Sequence, residues 1–125
     1  MSGRLHQALC LSLLWAGSSH AAVDFSNDVK PLLSRLGCNG SSCHGKAEGQ
    51  NGFKLSVFGN DPKSDIQSII KESRGRRISQ AAPSESLFLR KATGEVGHGG
   101  GARVQKGSRE YNIFQDWILF NYTNY

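Results

Sequence analysis

The sequence predicts a mainly α-helical small domain, and three observations carry that prediction. Apolar residues recur at helical spacing in three stretches, and a fourth, short stretch carries Leu87, Phe88 and Leu89. Glycines at 37, 40, 45, 49, 52 and 59 break up the middle, so only residues 53–58 suit a short extended piece. The 125 residues suffice for one domain, and no apolar run reaches the roughly 20 residues of a membrane span.

The first element is an address rather than part of the fold. Arg4 and His6 give a weakly basic start, and an apolar stretch runs from Ala8 to Ala16. Gly17 and Ser18 break it, and Ser19-His20-Ala21 carries small residues suited to cleavage after Ala21. This is the plan of a secretory signal peptide over residues 1–21, with a domain over 22–125. Cys10 sits in the apolar stretch with no lipoprotein box before it. Cleavage would leave 104 residues with a net charge of +4, since Arg4 leaves, and with no methionine. The compartment would be periplasmic or extracellular, and oxidising.

Residues 24–36 form the first expected helix, with Phe25, Val29, Leu32, Leu33 and Leu36 in one stripe. Asp24, Ser26 or Asn27 can cap it, Pro31 belongs near its first turn, and Gly37 stops it. A second helix is expected from Pro62 or Lys63 to about Glu72, with Asp61 as cap and Ile66, Ile69 and Ile70 inward. A basic turn, Arg74-Gly-Arg-Arg77, follows. A third short helix starts at Pro83-Ser84 and carries Leu87, Phe88 and Leu89. The last runs from about Ser108 to Phe120, with Tyr111, Phe114, Trp117 and Ile118 on its inner face. Between the last two lies a second glycine-rich loop, residues 94–101. Such a chain is poor in core residues and calls for a staple or a cofactor.

Both loops carry the chemistry-bearing residues. Cys38-Asn-Gly-Ser-Ser-Cys43-His44 resembles the Cys-x-x-Cys-His pattern of c-type haem attachment, with a four-residue spacer in place of two. In that chemistry two thiols add across the porphyrin vinyl groups and the adjacent histidine ligates the iron. Gly40 and the two serines suit an outward bulge of the longer spacer. Other readings of the same residues are a disulfide between Cys38 and Cys43, and a zinc site using both cysteines with His44 and His98. Haem iron in an electron carrier commonly takes a sixth ligand, methionine or histidine. With Met1 gone, His98 is the candidate distal ligand. Histidine on both faces lacks the potential-raising effect of methionine, so a low reduction potential is expected. Arg74, Arg76 and Arg77 are candidates for haem propionate contacts. The positive charge suits an acidic redox partner protein, and no basic-aromatic stripe argues for nucleic acid.

Further stretches carry a family likeness. Val23-Asp-Phe-Ser-Asn-Asp-Val-Lys-Pro-Leu-Leu, Gly37 through Lys46, Gln50-Asn-Gly-Phe-Lys-Leu-Ser, Gly75-Arg-Arg, His98-Gly-Gly-Gly and Trp117-Ile118 together resemble the cytochrome c-like domain of planctomycete-type secreted cytochromes. The resemblance covers nearly all of residues 23–120. It implies a helical domain wrapped around one covalently bound haem c, with its N- and C-terminal helices packed across one another. Cys38 and Cys43 would be the thioether sites and His44 the proximal iron ligand. Many relatives carry a Met-Pro-Pro turn near the place of His98-Gly-Gly-Gly, which supports His98 as a replacement ligand. The four-residue spacer departs from the family. The expected function is one-electron transfer by an exported mono-haem cytochrome, not substrate conversion. The alternatives are a non-haem secreted interaction module with a Cys38–Cys43 disulfide, and a haem-based gas or redox sensor.

Overall fold

In the computed structural model, residues 22–120 are described; the leader expected over residues 1–21 lies outside them. About 48% of the described residues are helical, and no strand occurs among them. One isolated antiparallel bridge pairs Gln50 with Phe53. Residues 53–58 therefore do not make an extended element: Leu55 is buried, and Val57–Gly59 closes a 3-10 turn with Phe58 at φ 52.

The chain opens on a π-helical turn, Phe25–Val29, that runs directly into α1, Lys30–Arg35. The Asp24 carboxylate accepts the Asn27 N–H at 2.8 Å and caps it. Pro31 has no N–H to donate, and the wide turn places it in the first turn of the α-helical part. At the other end Gly37 takes φ +77. The Cys38 N–H then reaches the Leu33 carbonyl at 2.9 Å, and the Gly37 N–H reaches Ser34 at 3.0 Å. That is a Schellman stop, and it delivers Cys38 directly onto the end of α1.

Helix α2 spans Pro62–Ile70, with the Asp61 carboxylate accepting the Ser64 N–H at 3.1 Å. A 3-10 turn over Pro83–Glu85 leads into α3, Leu87–Ala92. Helix α4 spans Arg109–Phe120, and the Ser108 hydroxyl accepts the Tyr111 N–H at 3.2 Å. The first, second and last helices stand within about two residues of their expected bounds, whereas the third, expected from Pro83-Ser84, begins at Leu87 because Ser86, at ψ 128, separates it from the 3-10 turn.

One core joins them. Phe25 lies 5.3 Å from Trp117, so the first and last helices meet, and Phe88 meets Phe114 edge-on at 5.2 Å. Val29, Leu32, Leu33, Leu55, Ile66, Ile69, Leu89, Tyr111 and Ile118 complete it. All of the functional candidates lie on loops at the rim of this core.

Candidate functional site

Cys38, Cys43 and His44 are gathered by backbone hydrogen bonds. The His44 N–H donates to the Cys38 carbonyl at 3.0 Å, and Cys43 and Gly45 both donate to Gly40 at 3.0 Å. The spacer bulges as expected at Ser41 and Ser42, which are exposed. Asn39 instead turns inward and is 1% exposed. Its Nδ2 donates to Ser34 Oγ at 2.9 Å and its carbonyl accepts the Phe58 N–H at 3.2 Å, so the spacer is anchored at one end. Both cysteines are free thiols, half-buried. Burial pushes the Cys38 thiol up to about 11, outweighing the opposing pull of Arg103.

His44 and His98, 54 positions apart in sequence, come together. Their ring centres are 6.2 Å apart and their planes differ by 8°. Each ring is fixed in the same way. His44 Nδ1 meets the Phe53 carbonyl at 2.9 Å, and His98 Nδ1 meets the Gly101 carbonyl at 2.8 Å. A carbonyl oxygen can only accept, so each Nδ1 carries a proton, and in a neutral ring Nε2 then keeps its lone pair. Burial lowers the His44 pKa, helped by the charges of His98 and Arg77, against the opposing Phe53 hydrogen bond. That favours the neutral, ligating form.

The two rings are thus close and nearly parallel, each held through its Nδ1. By contrast, no group of three or more His, Cys, Asp or Glu is arranged to hold a metal among the described residues. The four-ligand zinc cage is therefore not assembled.

Two further layers support the rings. The His44 ring packs on Phe53 at 4.5 Å, and the Arg77 guanidinium lies over the other residue of that stack, 4.6 Å from the Phe53 ring centre. Arg77 is buried and donates to the carbonyls of Ser68, Glu72 and Gly52 and to Ser73 Oγ. It buttresses the Phe53 ring that packs on His44. Arg74 and Arg76, on the same turn, are exposed.

The His98 loop is pinned to α3. Lys91 Nζ donates to the Gly97 carbonyl, the Val96 N–H to Arg90, and the Arg103 and Val104 N–H groups to Ala92. Gly100 lies under the imidazole; a Cβ there would stand 2.9 Å from His98 Cε1. Arg103 closes the arrangement. Its Nε donates to the Gly100 carbonyl at 2.8 Å and its Nη1 to the Leu36 carbonyl at 3.5 Å. It links the distal loop to the end of α1 beside Cys38. Sequence reading missed Arg103, which lies in no motif, and gave Arg77 a different part, as a propionate contact, because its buried carbonyl partners are distant in sequence. A cleft of about 440 Å³ is lined by Thr93, Glu95 and residues 102–106, and neither imidazole lines it.

Comparison with known protein families, curated proteins and solved structures finds no match to this chain.

Proposed function

We propose that the protein is an exported mono-haem c-type cytochrome that transfers single electrons, with His44 and His98 as the two iron ligands. One observation carries the reading: two nearly parallel imidazoles with ring centres 6.2 Å apart, each with Nδ1 committed to a backbone carbonyl, so that Nε2 is the nitrogen a neutral ring would offer to iron. The Cys-x4-Cys-His run and two free thiols beside the first imidazole support covalent attachment.

In this reading haem supplies the one-electron iron couple, and the chain supplies everything that tunes it. Cys38 and Cys43 would hold the haem through thioether bonds, each formed by adding S–H across a vinyl group with no oxidant consumed, and His44 and His98 would hold its iron. Their Nδ1–H···O=C bonds fix ring orientation and raise ligand basicity. Stronger donation from two imidazoles stabilises the ferric form, which lowers the reduction potential. Arg77, committed to backbone carbonyls, holds Phe53 under His44. Arg74 and Arg76 remain the candidates for propionate contacts. The net positive charge favours an acidic redox partner.

The test is expression with a c-type maturation system, followed by a haem-stained denaturing gel and an intact mass. Haem that stays with the chain under denaturation is the expected result. A haem-free chain lighter by two protons would overturn the reading in favour of a disulfide.

A further inference from the structure

The histidine pair is in place in a chain whose thiols are free. Its geometry is set by backbone carbonyls and by cross-loop bonds, none of which involves either thiol. The proximal ring is held by Phe53 and the stack with Arg77. The distal ring is held by Gly101, by the loop's bonds to α3 and by Arg103. The two halves share no covalent link close to the site, and α1 leads only to the proximal half. Arg103 bridges them directly, from Gly100 under the distal ring to Leu36 at the end of α1. The planar fork of a guanidinium can reach two carbonyls at once; a lysine ammonium on a flexible stem is a poor substitute.

We propose that His44 and His98 form a coordination site in their own right, which captures haem non-covalently before and without thioether formation, and that Arg103 is the positioning residue that keeps the two imidazoles in register. Coordination then comes first, and the thioether bonds make it permanent. This rests on the reading of the pair as haem ligands but not on covalent attachment, so the two can fail separately.

The experiment uses the chain carrying Cys38→Ala and Cys43→Ala, made without a maturation system and titrated with haemin. A low-spin, two-histidine spectrum at one haemin per chain is expected, lost to a high-spin form on adding His98→Ala. Failure to bind, or a spectrum indifferent to His98→Ala, would overturn the capture site, even if the wild-type chain is matured covalently elsewhere. Conversely, capture by the double variant with no covalent haem in the matured wild type would sink the c-type reading and leave this one standing.

For Arg103, Arg103→Ala should weaken haemin binding by roughly tenfold, the scale of lost outer-shell support, and give a mixed-spin spectrum. Arg103→Lys should behave likewise. Full affinity and a pure low-spin spectrum in Arg103→Ala would remove the positioning role, and full rescue by lysine would refute the two-carbonyl bridge. In the haem-free chain, Arg103→Ala should speed amide exchange at Gly101, whose N–H donates to the His98 carbonyl, with α2 amides unchanged. Equal exchange across both elements would mark a global fold defect and overturn the local assignment.

Discussion

Asp65 is a buried carboxylate on α2 with no ion pair of its own. Its oxygens accept the Ser56 N–H and, at 2.8 Å, the Ser56 hydroxyl, which ties the Val57–Gly59 turn to the helix. Burial raises its pKa despite those two bonds. The folded state therefore holds the proton more tightly than the unfolded chain. The stability from this group is fully present below the ordinary carboxylate value and falls as pH rises through the raised one. Asp65→Asn keeps the shape and removes the titration. Urea midpoints measured between about pH 4 and 7 should fall with pH more steeply for wild type than for the variant. Parallel curves would show that Asp65 does not titrate in this window. Gly45, next to His44, is held by packing rather than by dihedral angle. A Cβ there would sit 2.2 Å from the Asn39 carbonyl oxygen. Gly45→Ala should cost about 1–3 kcal/mol in denaturant unfolding, the usual range for overpacking. An unchanged midpoint would mean that the attachment loop yields at no cost. Cys38, Cys43, His44 and His98 were all legible as candidates, because adjacency and spacing carry that signal. The close approach at Gly45 was not, since it depends on how the spacer folds back on itself.

The first, second and last helices carry their start caps and inner faces in consecutive residues, and the first also carries its stop. Asp24, Asp61 and Ser108 accept the N–H groups that the sequence suggested they would, and Gly37 ends α1. What the periodicity could not show was the π-helical opening of the first helix, a local accommodation of Pro31, or the turn at Val57–Gly59 in place of an extended piece. The Ser56–Asp65 bonds and the Asn39–Phe58 bond hold that turn, and both are contacts between different elements. Trp117 is the side chain on which the helices converge, fully buried against Phe25. Trp117→Ala should destabilise by about 3–5 kcal/mol, read from urea unfolding of the haem-free chain. A loss under about 1 kcal/mol would mean that the first and last helices are not held together through this contact.

For the molecule as a whole, the formal charge of +5 makes a prediction that needs no identified partner. If the protein carries a one-electron centre near its surface, oxidation of the reduced form by the ferricyanide anion is attractive and should slow as sodium chloride rises from about 10 to 300 mM, as screening shortens the Debye length. A rate that rises with salt would place negative charge around the exit point instead. The sequence by itself determined the helices, their caps and the attachment-like run, because each is written in residues within one or two turns of one another. It also left His98 as the one histidine besides His44 after the expected leader. Only the tertiary structure decided that the two rings meet, 6.2 Å apart and parallel. It also made Arg77 a buttress and Arg103 a bridge. Those roles are set by contacts between residues 25 to 67 positions apart, between Arg77 and Gly52 and between Arg103 and Leu36, and only the packed core brings such residues together.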